Sequence, residues 1–341
     1  MTLKDIAERA DVHLSTVSRV LSPTHRKMVS DDVAKRVRKI AEEMGYRANP
    51  FGYALRTNKS RMVGVLIPDL TNPIFPPIIR GIEHVLREFG YTAIFADSDE
   101  SVDEEAFIVE RMRDRQIQGL ILATAHRVGK TVDRLVMENV PVVLINRTTD
   151  DDRVLSVTND DFRGAQLAVD HLFSLGHRRI AHLAGPQYLS TGMDRREGYL
   201  AALKRRNVSF DTELLVQCDG FGIHDGEKAF KELLSRNNSF DAVFAGNDSL
   251  ALGCYRVMKE RGLKCPDDIS IAGYNNMPFT DMLEPPLTTV RFDKYEMGVN
   301  AARILLQLLE DDNEHPLPHI LEPELIVRQS SQVLIEPKPN S

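Results

Sequence analysis

In the stretch DVHLSTVSRVLS, Asp11 to Ser22, four hydroxyls and one guanidinium are set among apolar residues. Val17, Val20 and Leu21 fall at the spacing that buries one side of a short helix, which turns Ser15, Thr16, Ser18 and Arg19 outward. Small hydroxyl side chains allow close approach to nucleic acid and bond to phosphates or base edges. An arginine bonds bidentately to guanine. The chemistry such a face could perform is contact with a DNA major groove.

That face needs bracing. Leu3, Ile6, Ala7 and Ala10 fall at i, i+3, i+4, i+7 and predict a first helix from about Leu3 to Ala10. Asp11-Val12-His13 reads as a tight turn, and the second helix starts near Leu14 or Ser15. A third helix has Ser30 as its N-cap, Asp31 and Asp32 in the first turn, and Val33, Val37, Ile40, Ala41 and Met44 as its apolar face, with Gly45 as its stop. Two short helices joined by a three-residue turn and braced by a third make the helix-turn-helix layout. On spacing alone, a small three-helix bundle with a solvated polar face stays open as the alternative. Residues 1–59 hold 12 Lys/Arg against 7 Asp/Glu, whereas the whole chain carries a net charge of −7. A basic module on an acidic body places any polyanion at the first part of the chain.

From Arg61 onward apolar strands (MVGVLIP, TAIFAD, GLILAT, VPVVLIN, RIAHLAG, DAVFAGN, ISIAGYN) alternate with amphipathic stretches such as Pro77–Gly90 and Asp161–Leu175. That alternation predicts parallel α/β sheets. GFGIHDG at Gly220–Gly226 has the wrong spacing for a dinucleotide loop, and there is no Walker loop and no H-E-x-x-H. No cofactor or metal is therefore expected, and no nucleophile–base set stands out. His171, His177 and His182 lack a fourth ligand at zinc spacing, so GHRRIAHL reads as structural. The acidic runs DSDESVDEE and EDDNEHP read as solvated surface. Cys218, Cys254 and Cys265 are an odd count without metal spacing, which suits thiols in a reducing compartment. No apolar run reaches the roughly 18 residues of a membrane span, and the first residues carry no secretory apolar segment. These features lead us to expect a cytoplasmic protein with no membrane partner.

TLKDIAERADVHLSTVSRVL, followed by VS, IAEEMGYRANP, ALRTNKSRMVGVLIPDLTNPIF and PPLTTVRFDKYEMG, resembles the LacI/GalR family of bacterial transcription regulators through nearly the whole chain. The resemblance implies a small all-α helix-turn-helix headpiece (1–46), a hinge (47–60), an α/β periplasmic-binding-protein-like core of two Rossmann-like lobes (61–336) and a tail (337–341). It implies an effector-controlled regulator, a repressor, binding palindromic operator DNA as a homodimer or higher oligomer, and no enzyme. Leu14 and Ser15 stand where the family chooses its operator, with Arg19 one turn on. Thr16 and Ser18 match positions that mainly touch phosphate. In the hinge, Leu55 matches a leucine that wedges into the minor groove, with Asn49 and Ala54 beside it among the DNA contacts. Ala48 replaces a frequent proline, and Gly52 lies inside the expected hinge helix, where glycine costs up to about 1 kcal/mol.

In the core the resemblance implies three crossings between lobes, near Asn159, Thr289 and Leu321, and an effector pocket at the strands' carboxyl ends. Ile74, Phe75, Asn146, Asp160, Thr191, Met193, Phe221, Asn247 and Asn275 match pocket positions. Many relatives carry arginine at Met193 and others aspartate at Asn275. An uncharged lining of amides and aromatics suits a neutral sugar or polyol. Arg147, beside Asn146, could restore a cation, so a sugar acid stays open, as does a non-sugar metabolite such as a purine. Arg195 is expected in an ion pair within a lobe. The dimer contact is expected at Ile78–Leu86 and near Asn276–Met282. A transport-type solute-binding protein is the rival reading, and the headpiece argues against it.

Overall fold

The computed structural model describes residues 2–21, 29–46, 60–151, 153–236, 239–310 and 316–333. The chain divides into two compact units, residues 1–60 and 61–341.

In the first unit α1 (Leu3–Ala10), α2 (Leu14–Leu21) and α3 (Asp31–Glu43) surround a small core. Asp5 N donates to Thr2 Oγ1 at 3.4 Å and Thr2 N donates to the Asp5 carboxylate at 2.8 Å. This reciprocal cap satisfies donors that a helix start otherwise leaves open, and it holds the Asp5 carboxyl below its ordinary range. Asp11 ends α1 in the left-handed region, at φ 49°. Ile6, Ala7, Ala10, Val17, Val20, Ala34, Val37 and Ala41 are buried together. The predicted face of α3 is therefore turned slightly: Ala34 lies inside, while Val33, Ile40 and Met44 pack at the margin. Ser30 precedes α3 with extended backbone, but its side chain makes no cap hydrogen bond. The acids Asp31 and Asp32 still occupy the first turn. The hinge residues Asn49, Ala54 and Leu55, with Ala48 and Gly52, lie outside the described residues.

The second unit opens with β1 (Met62–Ile67), α4 (Phe75–Glu88), β2 (Thr92–Asp97), α5 (Val102–Asp114), β3 (Gly119–Leu122), α6 (Lys130–Met137), β4 (Val142–Ile145) and β5 (Leu155–Asn159). It continues through α7 (Asp161–Ser174), β6 (Ile180–Ala184), α8 (Ser190–Arg205), β7 (Leu215–Gln217), α9 (Ile223–Ser235), β8 (Ala242–Ala245), α10 (Asp248–Arg261), β9 (Ser270–Tyr274) and β10 (Thr288–Arg291). It ends with α11 (Lys294–Glu310), β11 (His319–Leu321) and β12 (Glu324–Ile326). Two sheets result, ordered β11-β5-β4-β3-β1-β2 and β12-β10-β9-β8-β6-β7. Every pairing is parallel except β10 with β12. Strands buried on both faces, such as β3, β4 and β8, read in sequence as unbroken apolar runs because helices cover each side, and β6 and β9 do so apart from His182 and Ser270.

The chain passes between the two lobes three times. β5 belongs to the first sheet, yet α7 packs on β9, β10 and β12 of the second. After β10 the chain returns as α11, which packs on α4, β3, β4 and β5. It leaves the first lobe again between Leu321 and Glu324. The expected passages near Asn159 and Leu321 match in place, and the second falls just beyond β10.

Close approach of α4 and α11 depends on two glycines. A Cβ on Gly81 would lie 2.2 Å from Tyr295 O, and one on Gly298 would lie 2.1 Å from Ile78 O. Ile78, Ile82, Val85 and Leu86 are buried in the core that α11 shares. The apolar residues of Ile78–Leu86, the stretch expected at the dimer contact, are thus packed within the chain. Arg80 and His84 of α4 are exposed, and His84 Nδ1 lies 3.0 Å from the Tyr295 hydroxyl of α11.

Candidate functional site

Two sets of residues carry chemistry, one in each unit. In the first unit α2 buries Val17 and Val20 and presents Leu14 (45% exposed), Ser15 and Arg19, all exposed. Thr16 and Ser18 are half-buried at its flanks. α3 adds four exposed cations, Lys35, Arg36, Arg38 and Lys39, which composition flagged only as net charge. Four exposed cations on one helix are chemically suited to sequence-independent attraction of a polyanion. His13, the residue before α2, escaped the sequence reading. Its carbonyl accepts from Thr16 N at 2.8 Å, and its Nδ1 lies 2.8 Å from Ser15 Oγ and 3.2 Å from Ser15 N. A polar side chain just ahead of a helix start is the available signal.

In the second unit a cavity of about 700 Å³ lies between the lobes. The first lobe contributes the loop after β1 (Asp69, Thr71, Asn72, Pro73) and Glu100 after β2. The second contributes Tyr188 after β6, Asp219 to Asp225 after β7, Ser249 at the start of α10 and Met277 to Leu283 after β9. Every contributor follows the carboxyl end of a parallel strand, where open α/β sheets bind ligands. The lobes also touch directly: Arg127 N donates to Tyr188 O at 3.0 Å, and Thr148 N to Ser190 Oγ at 3.0 Å.

The cavity wall is acidic. Asp69, Glu100, Asp219, Asp225 and Asp248 border it, and no Lys, Arg or His does among the described residues. Most of these carboxylates are held. Asp69 accepts from Thr71 N and Oγ1 at 2.7 and 2.6 Å. Glu100 takes two bonds from Arg147 at 2.8 and 2.6 Å. Lys228 donates to Asp219 at 2.7 Å and holds its carboxyl below the ordinary range. Asp225 accepts from Gly222 N at 2.9 Å. The Asp248 side chain turns wholly inward. Burial pushes its carboxyl up to about 6, although it accepts from Thr289 Oγ1 at 2.6 Å and from Met277 N at 2.7 Å.

Of the nine residues predicted for the pocket, Phe221 alone borders this cavity. Asn247 sits directly behind it, donating from Nδ2 to Phe221 O at 3.0 Å while its Oδ1 caps α10. Asn275 meets Arg195 Nη2 at 3.5 Å. Ile74 and Phe75 are buried in the first lobe's core. Asp160 caps α7 by accepting from Arg163 N at 2.8 Å. Asn146 follows β4 with φ 65°, Thr191 is buried in the first turn of α8, and Met193 is half-buried. Arg195 is paired as expected: Nε donates to Asp161 Oδ1 at 2.9 Å, both side chains almost wholly buried. Its Nη1 donates to Gly246 O at 2.8 Å and its guanidinium lies 3.9 Å over the Tyr274 ring. Arg147, which kept a sugar acid open as the alternative, is 4% exposed and paired with Glu100.

His171, His177 and His182 serve the fold. His171 Nε2 meets Ser331 Oγ at 2.9 Å, and His177 Nε2 donates to Gln332 O at 3.1 Å. His182 is stacked on Phe244 and Tyr199, and burial pushes its pKa down to about 4. All three cysteines are free thiols, with burial raising each. Among the described residues no helix is long and apolar enough to cross a membrane, and no His/Cys/Asp/Glu group is placed to hold a metal ion.

Comparison with known proteins agrees with this division. Residues 2–49 match the bacterial regulatory proteins of the lacI family, and residues 60–325 match the periplasmic binding proteins and sugar binding domain of the LacI family. The HTH-type transcriptional repressor CytR of Escherichia coli is 33% identical over 98% of this chain and 97% of its own. The Lac repressor dimer bound to operator and the anti-inducer ONPF superposes with a TM-score of 0.86 at 25% identity, over 97% of this chain and 99% of that one. A regulator from Enterococcus faecium with bound ribose does so at 0.70 and 31% identity, over 80% of this chain and 100% of that one.

Proposed function

The chain belongs to the LacI family of bacterial regulatory proteins, transcriptional repressors and not enzymes, and on that footing we propose which contacts it uses. Leu14, Ser15 and Arg19 read operator base edges, and Thr16 and Ser18 hold phosphates. Asn49, Ala54 and Leu55 take the minor groove. Two copies read the two halves of a palindrome, since one headpiece spans only a half-site. Arg19→Ala is expected to weaken operator binding by roughly 1–3 kcal/mol. Equal weakening on random DNA, in a gel-shift titration, would remove Arg19 from base readout.

We propose a neutral sugar or sugar derivative as the effector, bound between the lobes. The observation that carries this is the cavity wall: carboxylates, the Asn72 amide and the rings of Tyr188, Phe221 and Phe279, with no cation among the described residues. Carboxylates accept paired bonds from neighbouring hydroxyls, and aromatic faces cover sugar C–H groups. The same wall repels a sugar acid, because Arg147 and Arg195 are already spent on Glu100 and Asp161. The ribose held by the Enterococcus faecium regulator supports the class, though not the individual sugar. The ligand changes operator affinity by favouring one arrangement of the two lobes over another. Isothermal titration with pentoses, hexoses, nucleosides and sugar acids tests the reading. A neutral sugar should bind and shift operator affinity, and binding of a carboxylate alone overturns it.

A further inference from the structure

A serine hydroxyl at a groove both donates and accepts, so by itself it reads bases ambiguously. We infer that His13 removes that ambiguity, making Ser15 an acceptor-only reader that selects bases presenting an exocyclic amine. This rests on the reading of α2 as the helix that contacts base edges.

The argument starts from an atom that cannot change role. Ser15 N is a backbone amide and only donates, and it lies 3.2 Å from His13 Nδ1. Nδ1 therefore carries its lone pair, and the ring proton is on Nε2. The same Nδ1 lies 2.8 Å from Ser15 Oγ. A bond between that lone pair and the hydroxyl needs the hydroxyl's proton, so Ser15 donates to His13. The one lone pair serves both donors, with the hydroxyl at the shorter distance. Ser15 Oγ then keeps only lone pairs for any further partner. Both side chains are exposed, so this arrangement stands on the surface that would meet DNA.

In the major groove adenine N6 and cytosine N4 donate, whereas guanine O6 and N7 and thymine O4 accept. An acceptor-only oxygen bonds the first pair and meets lone pairs on the second. The signature is specific: A and C are favoured alike over G and T on the same strand. Purine–pyrimidine discrimination or GC–AT discrimination would be a different pattern. His13 is a positioning residue here, acting through Ser15.

Selection by the full-length protein from palindromic duplexes with randomised half-sites, read by sequencing, tests this. Ser15→Ala identifies the position that Ser15 reads by flattening preference there. At that position the wild type is expected to favour A and C over G and T by about tenfold. His13→Ala frees the hydroxyl to donate and should bring all four bases within about twofold, with other positions unchanged. His13→Asn, whose amide oxygen can take both bonds, should keep the tenfold pattern. If His13→Ala retains the full discrimination, or the wild type shows another pattern at that position, the inference fails while base contact by Ser15 stands. If Ser15→Ala changes no position, the underlying reading of α2 fails instead. Should His13→Ala not fold, the wild-type pattern and the His13→Asn variant still decide.

Discussion

Replacing Asp248 by asparagine tests the energetics of the cavity wall most sharply. Asp248 opens α10 and is 0% exposed, so no solvent softens its ionisation. Burial pushes its carboxyl from an ordinary 3.8 up to about 6, against the bonds from Thr289 and Met277 and the attraction of Lys294, whose own ammonium burial lowers. Between those two values the folded chain binds a proton that the unfolded chain has released, so stability falls as pH rises through the window. The penalty is absent well below pH 3.8 and complete above about pH 6. A shift of about two units at 1.36 kcal/mol each corresponds to about 3 kcal/mol, of which about 2.5 kcal/mol develops between pH 4 and 7.5. Asparagine has the same shape, never ionises, and keeps both bonds if its oxygen faces Met277 N and the Thr289 hydroxyl turns to accept. Urea unfolding of Asp248→Asn and wild type across that range should show the variant gaining about 2.5 kcal/mol relative to wild type as pH rises. Asp194, also pushed up to about 6 by burial, is common to both proteins and cancels. A difference that stays constant with pH would refute the argument.

Arg195→Met should destabilise the second unit by about 3–5 kcal/mol, because it leaves Asp161 buried without its cation. Adding Asp161→Asn should recover much of that loss in the same denaturant titration. Gly81→Ala places a carbon 2.2 Å from Tyr295 O, which lies on backbone and cannot swing aside. A loss of about 3 kcal/mol is expected, seen as a lower urea midpoint. Glu100→Gln releases Arg147 beside the cavity. Calorimetry should then detect a gain in affinity for a sugar acid over its neutral counterpart, and unchanged selectivity would show that Arg147 does not reach the ligand.

The two-lobed fold was legible because burial on both faces leaves a plain mark. Val142–Ile145 and Ile180–Ala184 are buried along their whole length and are apolar runs in the sequence, apart from His182. His182 escapes that logic because it is neutral when buried, stacked between rings and donating from Nδ1 to Phe244 O at 2.9 Å. The rotation of α3 was less legible: Ala34 is small enough to sit between helices, and alanine carries little apolar signal.

The cavity lining was harder to read for a different reason. Sequence reasoning can find the loops that end parallel strands, but not the direction each side chain takes from them. At Asn146 and Asn275 the backbone is left-handed, with φ of 65° and 102°, and each asparagine is almost wholly buried. After β1 the difference is one of helix phase. Asn72 and Pro73 stay in the loop and border the cavity, while Ile74 and Phe75, entering α4, turn into the core as its first apolar anchors. A two-residue shift across a helix start thus exchanges a cavity-lining position for a buried one. The acidic residues of the wall were masked by type, since Asp and Glu in loops are ordinarily solvated surface. Only the convergence of Asp69, Glu100, Asp219 and Asp225 from three strand-to-helix connections onto one cavity gives them a shared chemistry. That convergence is a property of the two sheets facing each other, and each loop alone contains no sign of it.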